Sequence, residues 1–128
     1  YDMGLYQDGS KGYLVRSVEN EYAGISQLDE DYTNTSSAGI TSKGPKIEGV
    51  TIFELDTYYL LGSHLTGWSP NAAELCTTKS TASQGVNDAT WDNNHGGACP
   101  NPTSSSNTYE SQSTYVVRLE DTTNKKYV

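Results

Sequence analysis

The sequence is poor in several residue types, and each shortage argues against a class of protein. Apolar residues make up 34% of the 128 positions, with one Phe and one Met. No stretch approaches the roughly 18 consecutive apolar residues that a transmembrane helix needs. Lys and Arg number 8 against 16 Asp and Glu, which gives a net charge of −8. That acidity argues against nucleic acid or an anionic membrane surface as a partner.

Cysteine is also scarce, since Cys76 and Cys99 are the two cysteines of the chain. They flank a polar segment rich in Gly and Asn, which favours a disulfide over two independent reduced thiols. A closed loop of that size would contribute about 3 kcal/mol to stability by restricting the unfolded chain. Asn34 begins an Asn-Thr-Ser sequon, which predicts N-glycosylation. Both features predict a secreted, extracellular protein.

The two histidines, His64 and His95, do not have the spacing of metal ligands. No carboxylate partners accompany them in the pattern of a metal site, and His64 reads as a structural residue. We therefore predict no metal and no cofactor.

The abundant residues predict short antiparallel strands. Ten Tyr, twelve Gly and many Ser and Thr favour strands and turns over helices. A hairpin at 3–18 is followed by a strand at 24–28, and a hairpin at 50–61 is followed by a strand at 73–78. The recurrence of this unit, with a further strand at 113–119, predicts an all-β fold of antiparallel meander blades.

Polar segments separate these units. Residues 33–46 and 79–108 are predicted as loops, with Trp91 as an apolar anchor in the second. The chain begins without Met and ends within a predicted strand, which leads us to expect a processed or partial sequence. No segment has the pattern of a long amphipathic helix.

The segment 62–71 follows the second hairpin and contains an indole, an imidazole, an amide and several hydroxyls. A flat apolar ring beside hydrogen-bonding groups suits a sugar, which has CH faces and hydroxyl edges. The same composition also fits an ordinary surface loop whose Trp68 folds back on the core.

Four segments resemble, in order, the sequence of one enzyme family. They are DMGLYQDG at 2–9, IEGVTIF at 47–53, TYYLLGSHLTGWSPN at 57–71 and SQSTYV at 111–116. Together they resemble glycoside hydrolase family 43, in its branch of secreted, mostly fungal or bacterial galactan 1,3-β-galactosidases. Gly49-Val50 stands where that family has Ala-Pro. The resemblance covers most of the chain.

The resemblance implies a five-bladed β-propeller whose site lies at the central axis. Blades of four short strands need roughly 50–60 residues each, so 1–128 would be a single partial propeller domain of about two to two-and-a-half blades. Uncovered blade edges would favour association with the remainder of the propeller, or self-association.

The resemblance also implies the residues that act. Glu48 matches the general acid that protonates the leaving oxygen, and Asp2 matches the carboxylate that orients this acid and keeps it protonated. Thr66, Trp68 and Asn71 match residues that contact sugar. The implied substrate is β-1,3-galactan, cleaved from its ends with inversion.

The base of the reaction is less clear from the sequence. The galactanase branch places a glutamine near the attacking water, and Gln112 matches that glutamine. An amide is a very poor base, so Gln112 would position water or act through its imidic tautomer. A strand glutamine bonded to neighbouring backbone fits the sequence equally well.

Two other functions fit the same residues. A non-catalytic, sugar-binding or self-associating remnant of a propeller would keep Thr66 and Trp68 in use without turnover. A family 43 β-xylosidase or α-L-arabinofuranosidase would act on other sugars, although TGWSPN at 66–71 and SQST at 111–114 argue against this reading.

Overall fold

The computed structural model describes residues 2–55, 57–64, 69, 71–81, 85–91, 99–103, 106–108, 116–119 and 126–127. Within these residues the protein is built mainly of antiparallel strands, with a short 3-10 helix at Val86–Asp88. None of the helical segments among these residues is long and apolar enough to cross a membrane. The all-β prediction is confirmed.

The first sheet has four strands in chain order: β1 (Met3–Asp8), β2 (Lys11–Val18), β3 (Tyr22–Gln27) and β4 (Ser42–Lys43). Asp8 pairs with Lys11 around a two-residue turn in which Gly9 has φ +59°. That left-handed backbone suits glycine and fits the tight turn of a hairpin. The sheet is therefore an antiparallel meander, as predicted.

The second sheet has three strands: β5 (Ile47–Glu54), β6 (Thr57–His64) and β7 (Ala73–Thr81). Phe53 pairs with Tyr59 across the hairpin, and their rings stack with centroids 5.2 Å apart. A separate two-stranded pair joins β8 (Arg118–Leu119) to β9 (Lys126–Tyr127).

The two larger sheets pack against each other, with β5 of the second sheet beside β1 and β2 of the first. On β2, alternate residues Tyr13 and Val15 are buried, and β1 and β2 both contact β5. One cluster of buried side chains joins the sheets and the 3-10 segment. Its largest members include Trp91, Tyr13, Tyr58, Ile25, Ile47 and Leu60. This shared core joins β2 and β3 to β5, and Tyr6 of β1 packs against it.

Tyrosines and carboxylates also connect the sheets at one end of this interface. The Tyr58 hydroxyl donates to Asp8 at 2.9 Å, and the Tyr6 hydroxyl donates to Glu54 at 3.5 Å. The rings of Tyr6 and Tyr58 meet edge to face. Burial and the bond to Asp8 raise the pKa of the Tyr58 phenol far above its ordinary value, so Tyr58 remains a donor.

The structure differs from the sequence prediction mainly in the loops. The segment predicted as the loop 33–46 contributes the short strand β4, which pairs with Gly24 and Ile25 of β3. Ser42 of this strand is buried, and its hydroxyl bonds on two sides. It donates to the Ala89 carbonyl at 2.8 Å and accepts from the Trp91 indole at 3.2 Å. Trp91 is buried, as its role of anchor requires.

Strand boundaries also shift. The third strand is Tyr22–Gln27, where 24–28 was expected, and β7 continues to Thr81, beyond the predicted 73–78. Of the strand predicted at 113–119, β8 covers Arg118–Leu119, and 113–115 lie outside the described residues.

Cys76 and Cys99 form the disulfide that the sequence favours, with their Cα atoms 5.2 Å apart. Both are buried, and the neighbouring carboxylate of Glu74 accepts the Cys99 backbone N–H at 3.0 Å. The disulfide thus ties the polar segment after β7 to a core strand.

Removing this disulfide should destabilise the fold. Because it closes a loop across a sequence separation of 23 residues, the double replacement Cys76→Ala, Cys99→Ala should lower the free energy of unfolding by about 3 kcal/mol. Urea unfolding measures the change. The reduced parent protein should match the double variant, and a variant within about 1 kcal/mol of the oxidised parent would contradict this role.

Candidate active site

Glu48 lies near the start of β5. This end of the second sheet also contains the end of β6 and the start of β7. Glu48 pairs with Ser63 of β6, and Ser63 in turn pairs with Ala73 at the start of β7. The Ser63 hydroxyl donates to the Glu48 carbonyl at 3.4 Å. The backbone of Glu48 is therefore held by its neighbouring strand, while its side chain is half-buried.

A β-bulge directly follows Glu48. The pairing of β5 with β6 shifts register between Glu48 and Thr51, and Gly49 has φ +58°. A left-handed glycine in a strand is the usual mark of such a bulge, since other residues adopt this backbone with strain. The bulge changes the direction of β5 immediately after the candidate acid.

Asp2 lies just before β1 and reaches the second sheet through this bulge. Its carboxylate Oδ2 accepts the Gly49 backbone N–H at 3.2 Å, and its backbone carbonyl accepts the Ser17 N–H at 3.3 Å. Two residues 47 positions apart in sequence are thus joined directly. Because Gly49 follows Glu48, this bond places the Asp2 carboxylate near the Glu48 carboxyl group.

The electrostatics of the pair favour a protonated Glu48. Burial is the main cause that raises the pKa of the Glu48 carboxyl group above its ordinary value, and the nearby Asp2 carboxylate raises it further. Both causes penalise a second negative charge at the site. A carboxyl group with a raised pKa can donate a proton near neutral pH, as general acid catalysis requires.

Close backbone contacts hold the bulge from both sides. A Cβ added to Gly4 of β1 would lie 3.0 Å from the Val50 carbonyl oxygen. A Cβ added to Gly62 of β6 would lie 2.7 Å from the Glu48 carbonyl oxygen. Glycine at position 62 lets β6 approach the bulge more closely than a Cβ would allow without a shift of the backbone, and at Gly4 a Cβ would fit only tightly.

The residues expected to contact sugar belong to the segment that joins β6 to β7. The strand residues that flank that segment are His64, the last of β6, and Ala73, the first of β7. They lie beside Ile47 and Ser63, at the same end of the sheet as Glu48. Asn71 is half-buried, and its side-chain amide donates to the Ser69 backbone carbonyl at 3.5 Å. The Asn71 backbone carbonyl accepts the Thr108 hydroxyl.

Thr66, Trp68 and Gln112 lie outside the described residues, as does His95, and of His64 the structure describes the backbone in β6. Asn34 of the predicted glycosylation sequon is exposed, and its side-chain oxygen accepts the Thr35 N–H at 2.9 Å.

Within the described part of the chain, three side chains of metal-ligating type lie close together at one place, namely Glu74, Cys76 and Cys99. The two sulfurs are joined to each other as a disulfide, so they do not offer thiolate ligands. This group is a structural cross-link near the start of β7.

Sequence reasoning missed the groups that position the two carboxylates. These are Gly49 with its bulge, the glycines Gly4 and Gly62, and the Ser63 hydroxyl. A signal was present, because an isolated glycine within a strand pattern indicates a bulge or a close backbone approach. Gly49 and Gly62 both interrupt strand patterns in this way.

Solved structures of similar fold exist. An exo-β-1,3-galactanase from Clostridium thermocellum superposes with a TM-score of 0.73 at 26% identity over 98% of this chain. A family 43 β-1,3-galactosidase, solved with galactodeoxynojirimycin, gives 0.70 at 31% identity over 92% of this chain. An exo-β-1,3-galactanase from Phanerochaete chrysosporium, solved with β-1,3-galactotriose, gives 0.58 at 25% identity over 72%.

The resemblance to glycoside hydrolase family 43 is confirmed. The chain spans 26%, 33% and 21% of these three proteins, which is about a fifth to a third of each. No protein-family model matches the chain, and no curated protein sequence matches it. The resemblance therefore rests on the solved structures.

The raised pKa of Glu48 predicts a pH-dependent stability. A carboxyl group whose pKa is higher in the folded state stabilises the fold below its unfolded pKa, and this contribution is lost as pH rises through the folded pKa. Glu48→Gln removes the titration, so at neutral pH the variant should gain stability relative to the parent.

Denaturant unfolding at several pH values measures this difference. The advantage of Glu48→Gln should disappear below the ordinary pKa of glutamate, and it should shrink in an Asp2→Asn background, where burial alone remains. An advantage that is constant across pH would show that the Glu48 carboxyl group is not perturbed by folding.

Proposed function

We propose that this chain is part of a secreted glycoside hydrolase that releases galactose from the ends of β-1,3-galactan with inversion. The observation that carries the proposal is the half-buried Glu48, whose pKa is raised by burial and by Asp2. The likeness to exo-β-1,3-galactanases and β-1,3-galactosidases supports the sugar and the reaction class.

In this proposal Glu48 is the general acid. Its proton passes to the glycosidic oxygen as the bond between this oxygen and the anomeric carbon breaks. A water molecule attacks the anomeric carbon from the opposite face and loses a proton to a base, which gives inverted galactose. Solvent then reprotonates Glu48. Protonation of a poor leaving group by such an acid contributes roughly 100- to 10,000-fold to the rate.

Asp2 acts on Glu48 and not on the sugar oxygen. Its carboxylate is anchored to the second sheet by the Gly49 N–H, so its negative charge stays near the acid. That charge opposes ionisation of Glu48 and keeps the proton available for transfer. Asp2 is thus the residue that tunes the acid.

The water side of the reaction is assigned to Gln112, through positioning of water or through its imidic tautomer. Thr66, Trp68 and Asn71 are assigned to the sugar, since an indole face with nearby hydroxyl and amide groups suits a pyranose ring. The segment 65–72, which carries these residues, connects strand ends that lie beside Ile47 and Ser63, next to Glu48 in the sheet.

We assign residues 1–128 to part of a five-bladed propeller domain, namely about two to two-and-a-half of its blades. The outward face of β1 supports this assignment, since Met3 and Leu5 are 64% and 66% exposed while Gly4 and Tyr6 are covered by β5. Large apolar side chains on one strand face favour a further blade packed there. The disulfide is in keeping with secretion.

The same exposed face favours a second candidate. A sugar-binding module without turnover, associated through β1 with the remainder of a propeller or with a second copy, would also cover Met3 and Leu5. It would bind galactan oligosaccharides and release no galactose.

Replacing the acid separates the two candidates. In the complete protein, Glu48→Gln should reduce galactose release from β-1,3-galactan by roughly 100- to 10,000-fold, because the amide has no proton to transfer. Binding of β-1,3-galactotriose, measured calorimetrically, should be retained because Gln is isosteric with Glu.

Glu21→Gln is the matched control, since Glu21 is exposed in the turn before β3. It should hydrolyse galactan at the parental rate. Unchanged hydrolysis in Glu48→Gln would refute the assignment of the acid, whereas binding without hydrolysis in the parent protein would favour the non-catalytic module.

A further inference from the structure

We propose that Gly49 is a positioning residue of this site, whose left-handed backbone directs its N–H to Asp2 and thereby sets the Asp2 carboxylate beside Glu48. The catalytic consequence rests on the proposed glycosidase function. The coupling of Gly49 to Asp2 does not rest on that function, and it can be tested without measuring catalytic activity.

The bulge explains why the bond to Asp2 forms at this residue. A bulged residue is not matched one-to-one by a residue of the partner strand, and the register of β5 against β6 shifts between Glu48 and Thr51. The N–H of Gly49 is directed to a carboxylate of the other sheet, at 3.2 Å from Asp2 Oδ2. The bulge thus converts one backbone donor into a link between the sheets.

The surroundings prevent the bulge from relaxing freely. The carbonyl oxygens on either side of Gly49, those of Glu48 and Val50, are in close contact with the backbone at Gly62 and Gly4. A change in the backbone angle at Gly49 would therefore be transmitted to the direction of its N–H. Asp2 is exposed, so this bond is what orients its carboxylate toward the second sheet.

The φ angle of +58° at Gly49 makes the position sensitive to side chains. Alanine adopts this region with strain, whereas asparagine occupies it several-fold more often than other non-glycine residues. Gly49→Ala should turn the N–H away from Asp2, and Gly49→Asn should retain the direction better.

Gly39 provides a matched control. Its φ is +67°, an added Cβ would meet nothing within 4 Å, and it lies in the turn before β4, outside the proposed site. Gly39→Ala carries the same kind of backbone strain without touching the bulge. Comparison of the two variants separates loss of positioning from loss of stability.

In the complete protein, Gly49→Ala should lower kcat on β-1,3-galactan by about tenfold to a hundredfold, because small displacements of catalytic groups cost this much. KM should change less than kcat. Gly39→Ala should keep the parental kcat, and Gly49→Asn should recover part of the loss. A Gly49→Ala variant with the kcat of Gly39→Ala, or equal losses in the Ala and Asn variants, would overturn the proposal.

An NMR comparison decides the question without activity and without a Gly49 variant. Asp2→Ala removes the acceptor, so the Gly49 amide proton should resonate upfield of its parental position and exchange faster with solvent. A Gly49 amide whose chemical shift and exchange rate are unaffected by Asp2→Ala would overturn the inference. If the parent protein releases no galactose while these changes are observed, the proposed function fails and the coupling of Gly49 to Asp2 stands.

Discussion

The hydrogen bond from the Gly49 N–H to the Asp2 carboxylate is the contact on which the site depends. It joins the beginning of the first sheet to the beginning of β5 and places two carboxyl groups close together. Two neighbouring carboxyl groups resist double ionisation, so the more buried one, Glu48, retains its proton more readily. The raised pKa of Glu48 thus reflects its burial first and this backbone geometry second.

That geometry is maintained by the packing beneath it. Tyr13 and Val15 of β2 share one buried cluster with Ile47 and Val50 of β5, and Tyr6 of β1 packs against that cluster. The first sheet and β5 are therefore held together. Dense packing of this kind transmits small displacements instead of absorbing them. The glycines around the bulge allow the close approach, and the apolar core makes it rigid.

The sequence predicted what is encoded locally. Period-two alternation and turn residues located the hairpins, and the two cysteines indicated their disulfide. The sequence did not predict β4 or the bulge at Gly49, because both depend on partners distant in the chain. Ser42 pairs with Ile25 of β3 and is held by bonds to Ala89 and Trp91, and Gly49 is defined by its contact with Asp2. Resemblance identified the carboxylates, while their coupling required the tertiary structure.

The central claim is that Asp2 raises the pKa of Glu48 across the interface between the sheets. The most direct test is the pKa of the Glu48 side-chain carboxyl carbon, measured by NMR in the parent protein and in Asp2→Asn. The account predicts a raised pKa in the parent that falls in the variant without reaching the ordinary value, because burial remains. An identical Glu48 pKa in both proteins would contradict it.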